Sequence, residues 1–154
     1  MIRYPCGFFD GAAAENIGGV GFVIHLNASY SLNFSLGCGN STNTRSELLA
    51  LWAILMVSKQ MGIPLQSIFG DSLVIISWVN RLASLNVPSL IHWCDDILSL
   101  LQLVPFVTIQ HIFREHNQQA NGLSKQDLLL DLGFGNYYES LDGMIIDHGN
   151  YKLF

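Results

Sequence analysis

The sequence predicts an α/β fold in which helices cover a mixed sheet. Three segments typical of strands come first, "CGFFD", "GGVGFVIHL" and "YSLNFSLG". The pattern then becomes helical and returns to single strands between helices, in "QSIFGD" and "FVTIQHI". The order βββαβααβα predicts three hairpin-linked antiparallel strands followed by parallel additions, which together form a five-stranded mixed sheet flanked by helices.

The third strand segment alternates strictly between apolar and polar residues. Leu32, Phe34 and Leu36 fall on one face, and serine and asparagine side chains fall on the other. Because successive side chains of a strand point to opposite faces, this pattern predicts a strand that is half exposed to water.

The first helix is predicted from about Thr44 to Met61. It has strong helix formers, a Thr or Ser available as N-cap, Gly62 just past its end and Pro64 two residues beyond. Its residues are apolar nearly all round, so we expect it to be buried between layers.

Three further helices complete the predicted fold. "SLVIISWVNRL" forms one, and Pro88 opens another in "LIHWCDDILSLLQL". The last begins in "NQQANGLSKQDL". From about residue 128 the chain becomes rich in Gly and Tyr without clear periodicity. We therefore predict a domain at 5–127 and a tail of uncertain order at 128–154.

Composition limits the class of protein. With 154 residues, 50% hydrophobic and only 12% charged, the chain fits one globular domain and not a disordered segment. Its longest apolar run is too short for a membrane span, and we see no oligomer signal. Three widely spaced cysteines and no secretory leader predict an intracellular location, in the nucleus or the cytoplasm. A net charge of −5 argues against a strong, autonomous nucleic-acid binder.

Three carboxylates stand at positions where catalytic sites form. Asp10 and Asp71 each end a strand-like run, and Glu47 lies in the first turn of the predicted helix. Each has a structural alternative, for example Asp71 as the cap of the helix that begins at Ser72. Together at one sheet edge they would repel one another unless cations held them, and oxygen ligands favour Mg²⁺ or Mn²⁺. Two such ions roughly 4 Å apart are the usual device for displacement at phosphorus.

Four segments carry a family resemblance. "FFDGAAAENIGGVGFVI", "TNTRSELLAL", "IFGDSLVI" and "HIFREHNQQANGLSK" resemble, in order and spacing, the four motifs of the ribonuclease H family. The likeness is greatest to the short plant type found in retroelement (reverse transcriptase) polyproteins, and it covers residues 8 to 127. It implies a ribonuclease H-like sheet and endonucleolytic hydrolysis of the RNA strand of an RNA/DNA hybrid.

The resemblance also implies roles for individual residues. Asp10 would bridge two Mg²⁺ ions, for which Mn²⁺ can substitute, while Glu47 and Asp71 would hold the ion nearer the leaving group. His111 matches the family histidine that assists proton transfer or product release. An interior strand histidine bonded to a neighbour is an equal alternative for it.

Asn121 departs from the family pattern, because it stands where the fourth metal-binding carboxylate belongs. An amide oxygen can still ligate Mg²⁺, but it is neutral. We therefore expect weakened occupancy of the water-activating metal and attenuated activity. Two alternatives remain open: Asn121 caps the last helix, or the chain is a decaying copy of an element.

The substrate would be recognised by shape and by 2′-hydroxyl groups. "NSTNTRSE" resembles the family's substrate-contact segment, which assigns Thr42, Asn43 and Arg45 to phosphate or 2′-hydroxyl contacts; Arg45 could instead pair with a surface acid. The basic handle helix of longer members is absent from "NRLASLNVPSLIHWCDDIL". Weak, salt-sensitive affinity follows, so a fused or associated polymerase domain is the expected partner that brings the hybrid.

Two rival functions deserve comparison. A catalytically inactive nucleic-acid-binding module on the same fold would bind without metal-dependent turnover. A 3′ exonuclease would carry a D-x-E pair in the first strand, and here residue 12 is Ala.

Overall fold

The computed structural model describes residues 2–153. Its strands are β1 (Cys6–Ala14), β2 (Ile17–His25), β3 (Tyr30–Asn40), β4 (Ser67–Gly70), β5 (Thr108–His111), β6 (Phe134–Leu141) and β7 (Met144–Lys152). Its α-helices are α1 (Asn43–Met61), α2 (Leu73–Val79), α3 (Ile91–Gln102) and α4 (Gln118–Ser124). The strands form one sheet in the order β5-β4-β1-β2-β3-β6-β7. Among residues 2–153, no helix is both long and apolar enough to cross a membrane.

The predicted mixed sheet is confirmed. β1, β2 and β3 pair as antiparallel neighbours. β4 then joins β1 in parallel, and β5 joins β4 in parallel. The carboxyl ends of β1, β4 and β5 therefore meet at one edge of the sheet, where sites in α/β folds commonly form.

The sheet has seven strands where the sequence predicts five, because the segment expected to be a tail forms a hairpin. β6 pairs antiparallel with β3, and β7 pairs with β6 around Asp142 and Gly143, which have φ of 51° and 80°. The sequence does not reveal β7 because nearly all of its side chains are exposed or half-buried. Neither face of the strand is buried, so its residues do not alternate between apolar and polar. Phe154 lies outside the described residues.

The polar face of β3 is buried, so the prediction that it faces water is wrong. Ser31, Asn33 and Ser35 are 8%, 0% and 2% exposed. Helix α4 crosses this face, and the Ser35 hydroxyl donates to the Leu123 carbonyl oxygen at 2.7 Å. A sequence pattern separates polar from apolar faces, but it does not show whether a polar face is covered.

Helix α1 supplies the main core on the opposite face of the sheet. Thr42 caps its start by accepting from the Arg45 N–H, and Gly62 ends it in the left-handed conformation with φ of 66°. Its buried residues pack against the sheet and against α3, where the Trp52 and Trp93 rings meet edge to face at 5.0 Å. The predicted boundaries and burial of this helix are confirmed.

Two glycines allow helices to approach the sheet closely. A Cβ on Gly11 would lie 2.1 Å from the Ser46 carbonyl carbon, and one on Gly21 would lie 2.3 Å from the Ser124 nitrogen. Gly21 is paired with Asp10 and Gly11 with Val20, so the two glycines open opposite faces of the sheet. Helix α1 therefore packs on one face, and α4 packs on the face to which Asp10 points.

We predict that Gly21→Ala destabilises the protein. The added methyl would contact backbone atoms of α4, which cannot move as a flexible side chain can, and overpacking of this kind costs about 1–3 kcal/mol. The matched control is Gly122→Ala in α4, where an added Cβ meets no other atom within 4 Å. That change should raise the free energy of unfolding by about 0.5–1 kcal/mol. Urea denaturation compares both; equal effects would contradict the close approach.

Candidate active site

Strand register brings Asp10 and Asp71 side by side. β1 and β4 are parallel, and Phe9 is paired with Gly70 at the last position of their ladder. Asp10 and Asp71 directly follow Phe9 and Gly70, so they lie next to each other where β4 ends. The prediction that Asp10 ends its strand is wrong, because β1 continues to Ala14 in its pairing with β2. Asp10 is 4% exposed.

Asp71 does not cap α2, which is the structural alternative proposed for it. Ser72, and not Asp71, caps α2 by accepting from the Ile75 N–H. The Asp71 side chain is only 6% exposed, and its Oδ2 lacks a hydrogen-bond partner. The nearest cation is Arg114, whose Nε lies 3.7 Å from that oxygen. This is an ion-pair distance, too long for a hydrogen bond.

Glu47 reaches the same place from α1. It is the fifth residue of that helix, slightly later than the first turn in which the sequence places it, and it is half-buried. Burial raises the pKa of Glu47, and the negative charge of Asp71 raises it further. A hydrogen bond with Ser72 and the charge of Arg114 act in the opposite direction. The three acids therefore feel one another electrostatically.

Asp10 has the most perturbed carboxylate of the cluster. Burial is the main cause that raises its pKa from 3.8 to about 6, with added repulsion from Asp71 and Glu47. Two hydrogen bonds counteract the rise: Asn121 Nδ2 donates to Oδ2 at 2.8 Å, and the Gly11 N–H donates to Oδ1 at 2.9 Å. The site thus concentrates negative charge that protein donors only partly neutralise.

Asn121 sits inside α4 and not at its cap. Asn117 precedes the helix, and the Asn121 N–H bonds to the Asn117 carbonyl oxygen at 3.0 Å. The Asn117 side chain, 2% exposed, donates to the Phe9 carbonyl oxygen at 2.9 Å and ties α4 to β1. The capping alternative for Asn121 is therefore wrong; its amide is held against Asp10.

His111 ends β5 at the same sheet edge. It is paired with Gly70, the residue before Asp71. Its side chain is exposed and meets the Phe113 ring edge to face at 5.8 Å. The alternative of an interior histidine is wrong, because β5 is the outermost strand on this side of the sheet.

The predicted substrate-contact residues surround the start of α1, where each already has a structural bond. Thr42 caps the helix, and Asn43 Oδ1 accepts from the Ala13 N–H at 3.0 Å. Arg45 Nη1 donates to the carbonyl oxygens of Cys38 and Asn40, at 2.8 and 2.9 Å. Arg45 is bound to main chain and not to the surface acid proposed as its alternative. Thr42 and Asn43 are exposed, so they can also meet a ligand.

Two residues of the site were missed from the sequence. Arg114 lies in a 3-10 turn, Arg114–His116, with its side chain 80% exposed and paired with Asp71. An exposed arginine gives no pattern by which a partner 43 residues away could be inferred. Asn117 lies in the quoted segment "HIFREHNQQANGLSK", but only the structure shows its bond to the Phe9 carbonyl oxygen.

The donor set fits a divalent cation, although the side chains are not arranged around one. Asp71 Oδ2 is a buried acceptor without a hydrogen-bond partner, and the charge of Asp71 raises the pKa of both Asp10 and Glu47. A cation would relieve both effects. Among residues 2–153, however, no three His, Cys, Asp or Glu side chains are grouped closely enough to hold a metal ion. Binding by all three acids therefore requires side-chain rotation, including exchange of the Asn121 amide at Asp10 Oδ2.

Comparison with known proteins identifies relatives of this arrangement. The family model described as reverse transcriptase-like matches residues 8–127. The uncharacterized protein YpeP of Bacillus subtilis (strain 168) is 30% identical in an alignment of 129 residues that covers 79% of this chain and 57% of that protein. The chain thus spans little more than half the length of this relative.

Solved structures match the fold. The RNase H1 of the halophilic archaeon Halobacterium salinarum NRC-1 is 25% identical, with a TM-score of 0.71 over 80% of this chain and 96% of that one. LC11-RNase H1, solved in complex with an RNA/DNA hybrid, is 24% identical, with a TM-score of 0.73 over 80% and 95%. A foamy viral protease-reverse transcriptase is 17% identical, with a TM-score of 0.63 over 80% of this chain and 20% of that one. The ribonuclease H fold is confirmed.

We predict that Asp10→Asn stabilises the metal-free protein at neutral pH. Because the folded-state pKa of Asp10, about 6, exceeds its ordinary value of 3.8, the native state binds more protons than the unfolded chain between these values. Stability contributed by the protonated acid is present below pH 3.8 and is lost as pH rises through 6. The substitution should therefore add about 1–3 kcal/mol at pH 7 and little at pH 4. Urea unfolding in EDTA at both pH values measures this; a gain that is independent of pH would contradict it.

Proposed function

This chain belongs to the reverse transcriptase-like family of the ribonuclease H-like superfamily, and we propose that it is a metal-dependent ribonuclease that cuts the RNA strand of an RNA/DNA hybrid. The observation that carries the proposal is the convergence of Asp10, Glu47 and Asp71, delivered by β1, α1 and β4 to one edge of the sheet. The complex of LC11-RNase H1 with an RNA/DNA hybrid supports the substrate class.

The proposed chemistry needs two divalent cations, which supply an activated water and neutralise charge on the leaving oxygen. Asp10 would contact both ions, because it is hydrogen-bonded to Asn121 and its charge interacts with those of Asp71 and Glu47. Glu47 and Asp71 would hold the ion nearer the leaving group. Hard oxygen donors of this kind select Mg²⁺, with Mn²⁺ as a substitute.

Asn121 attenuates the reaction in two ways. Its amide oxygen is a neutral ligand, so the water-activating side of the site lacks one negative charge. Its Nδ2 also occupies Asp10 Oδ2, so a cation must displace a 2.8 Å hydrogen bond before that oxygen can bind it. Both effects lower cation affinity without removing the remaining acids.

His111 is the proposed proton carrier. It is exposed at the end of β5, one strand away from Asp71, and an imidazole can exchange protons near neutral pH. Exposure suits a group that must reach the leaving oxygen and then release a proton to water.

The start of α1 is the proposed nucleic-acid contact. Thr42 and Asn43 are exposed there, and Arg45 brings positive charge to the same end of the helix. With seven Lys and Arg in the whole chain, affinity from this domain alone is weak, which favours a fused or associated polymerase domain that delivers the hybrid.

The second candidate function is a nucleic-acid-binding module without catalysis on the same fold. Two contacts favour it: Asn121 donates to Asp10, and Arg114 pairs with Asp71. These two protein donors therefore already offset part of the negative charge that cations offset in a nuclease.

Restoring the fourth acid tests the proposal. The wild type should cut a labelled RNA/DNA hybrid slowly in Mg²⁺ and faster in Mn²⁺. Asn121→Asp should cut at least about tenfold faster in Mg²⁺, because the added charge strengthens cation binding. Asp71→Asn is the inactive control. If a folded Asn121→Asp protein cuts no hybrid in either metal, the non-catalytic module is the better account.

The contact at α1 is tested by binding. On the Asp71→Asn background, Arg45→Ala should weaken hybrid binding and lower the slope of log affinity against log salt by about one, as expected for the loss of one phosphate contact. The matched control is Lys59→Ala in the last turn of the same helix. Fluorescence anisotropy over a salt series gives the binding affinity and its salt slope. Equal slopes for all three proteins would assign Arg45 to its main-chain bonds alone.

A further inference from the structure

A cleft beside the candidate active site has features that the proposed catalysis does not use. We call it the His116 cleft. It lies between β1 and β2 on one side and the 3-10 turn with α4 on the other, and its volume is about 120 Å³. A single water needs only ~10–15 Å³, so the cleft has room for a larger group. Its walls include Phe8, His25, His116, Asn117 and Gln119.

The floor of the His116 cleft holds an acceptor without a donor. Asn117 is 2% exposed, and its Nδ2 is used by the Phe9 carbonyl oxygen. Its Oδ1 is buried and has no hydrogen-bond partner. Buried polar atoms are rarely left unpaired, because they have lost water without gaining a replacement. This oxygen has almost no accessible surface, so the N–H group of a ligand in the cleft would satisfy it after a small movement of the cleft wall.

One wall of the cleft is built from rings. The Phe8 ring stacks on Phe69 with centroids 5.0 Å apart, and it meets the His25 imidazole edge to face at 5.6 Å. All three side chains are half-buried, so part of each ring surface faces solvent. Burial lowers the pKa of His25, so the wall is uncharged at neutral pH. An uncharged aromatic wall suits a flat, uncharged group.

The cleft is open at one end. His25 and Gln119 also line a wider depression of about 600 Å³ that continues over β3 and β6. His116 and Gln119 are exposed at the mouth, where they can contact a chain that passes outside. The entrance can therefore admit a planar group that remains attached to a longer molecule.

We propose that the His116 cleft binds one unpaired nucleobase, which packs its ring against Phe8 and donates an exocyclic amino or ring N–H to Asn117 Oδ1. Unpaired bases are recognised in this way, by stacking combined with hydrogen bonds to the base edge. A purely apolar ligand would leave Asn117 Oδ1 unpaired, and a phosphate, which offers acceptors, would be repelled by it.

The cleft is adjacent to the catalytic cluster through α4. Asn117 and Asn121 are one helical turn apart, joined by the 3.0 Å bond from the Asn121 N–H to the Asn117 carbonyl oxygen. A base in the cleft would thus belong to a strand that runs past Asp10. This link to the substrate strand rests on the proposed function, whereas binding of the base itself does not.

The test compares two small probes that differ by the base. Adenosine 5′-monophosphate and ribose 5-phosphate are titrated, without metal, into ¹⁵N-labelled protein, and the side-chain amide signals of Asn117 and Gln119 are followed by NMR. We expect saturable shifts with adenosine 5′-monophosphate and none with ribose 5-phosphate. Equal shifts with both probes would show a phosphate site and overturn the proposal, as would the absence of shifts with either.

Variants at the mouth provide a second readout. His116→Ala and Gln119→Ala should each weaken binding of adenosine 5′-monophosphate by about fivefold or more. Gln119→Ala also removes the hydrogen bond from Gln119 Nε2 to buried Asn33, so its free energy of unfolding is measured alongside. His148→Ala, an exposed imidazole on β7, is the matched control and should leave binding unchanged. If all three variants bind like the wild type, the cleft is not the site. The titration involves neither metal nor cleavage. Base binding can therefore be absent while the protein cuts the hybrid, and base binding can be present while the protein does not cut it.

Discussion

The close approach of two helices to the centre of the sheet is the constraint on which the site depends. Helix α1 can bring Glu47 to the sheet edge only because Gly11 lets its backbone touch β1. Helix α4 can place Asn121 against Asp10 only because Gly21, the partner of Asp10, has no side chain. Packing and chemistry are therefore inseparable here, since the residues that let the layers close also set which side chains meet.

Much of this arrangement can be predicted from the sequence where local chemistry decides it. The N-cap and the glycine stop of α1 are local features, and both are where the sequence indicates. The meeting of Asp10 with Asp71 follows from parallel strands that share an edge. These predictions succeed because capping, periodicity and strand direction are encoded by neighbouring residues.

Other features depend on contacts between distant residues, and there the sequence is insufficient. The sequence predicts that the polar residues of β3 face solvent, but α4 covers them. The Leu123 carbonyl of α4, which bonds to Ser35, is 88 positions away in the sequence. Strand β7 lacks alternation because both of its faces are largely exposed. The pair between Arg114 and Asp71 leaves no sequence pattern at all.

Under the proposed function, the elevated pKa of Asp10 would make proton release part of cation binding. A carboxyl group with a pKa of about 6 keeps its proton over much of the mildly acidic range, whereas a metal ligand must be ionised. A cation that bound Asp10 in that range would therefore expel a proton into solvent. Apparent cation affinity then falls about tenfold for each pH unit below that value, by mass action between the two competitors. The burial that protects the site from water would thus also couple cation binding to the acidity of its surroundings.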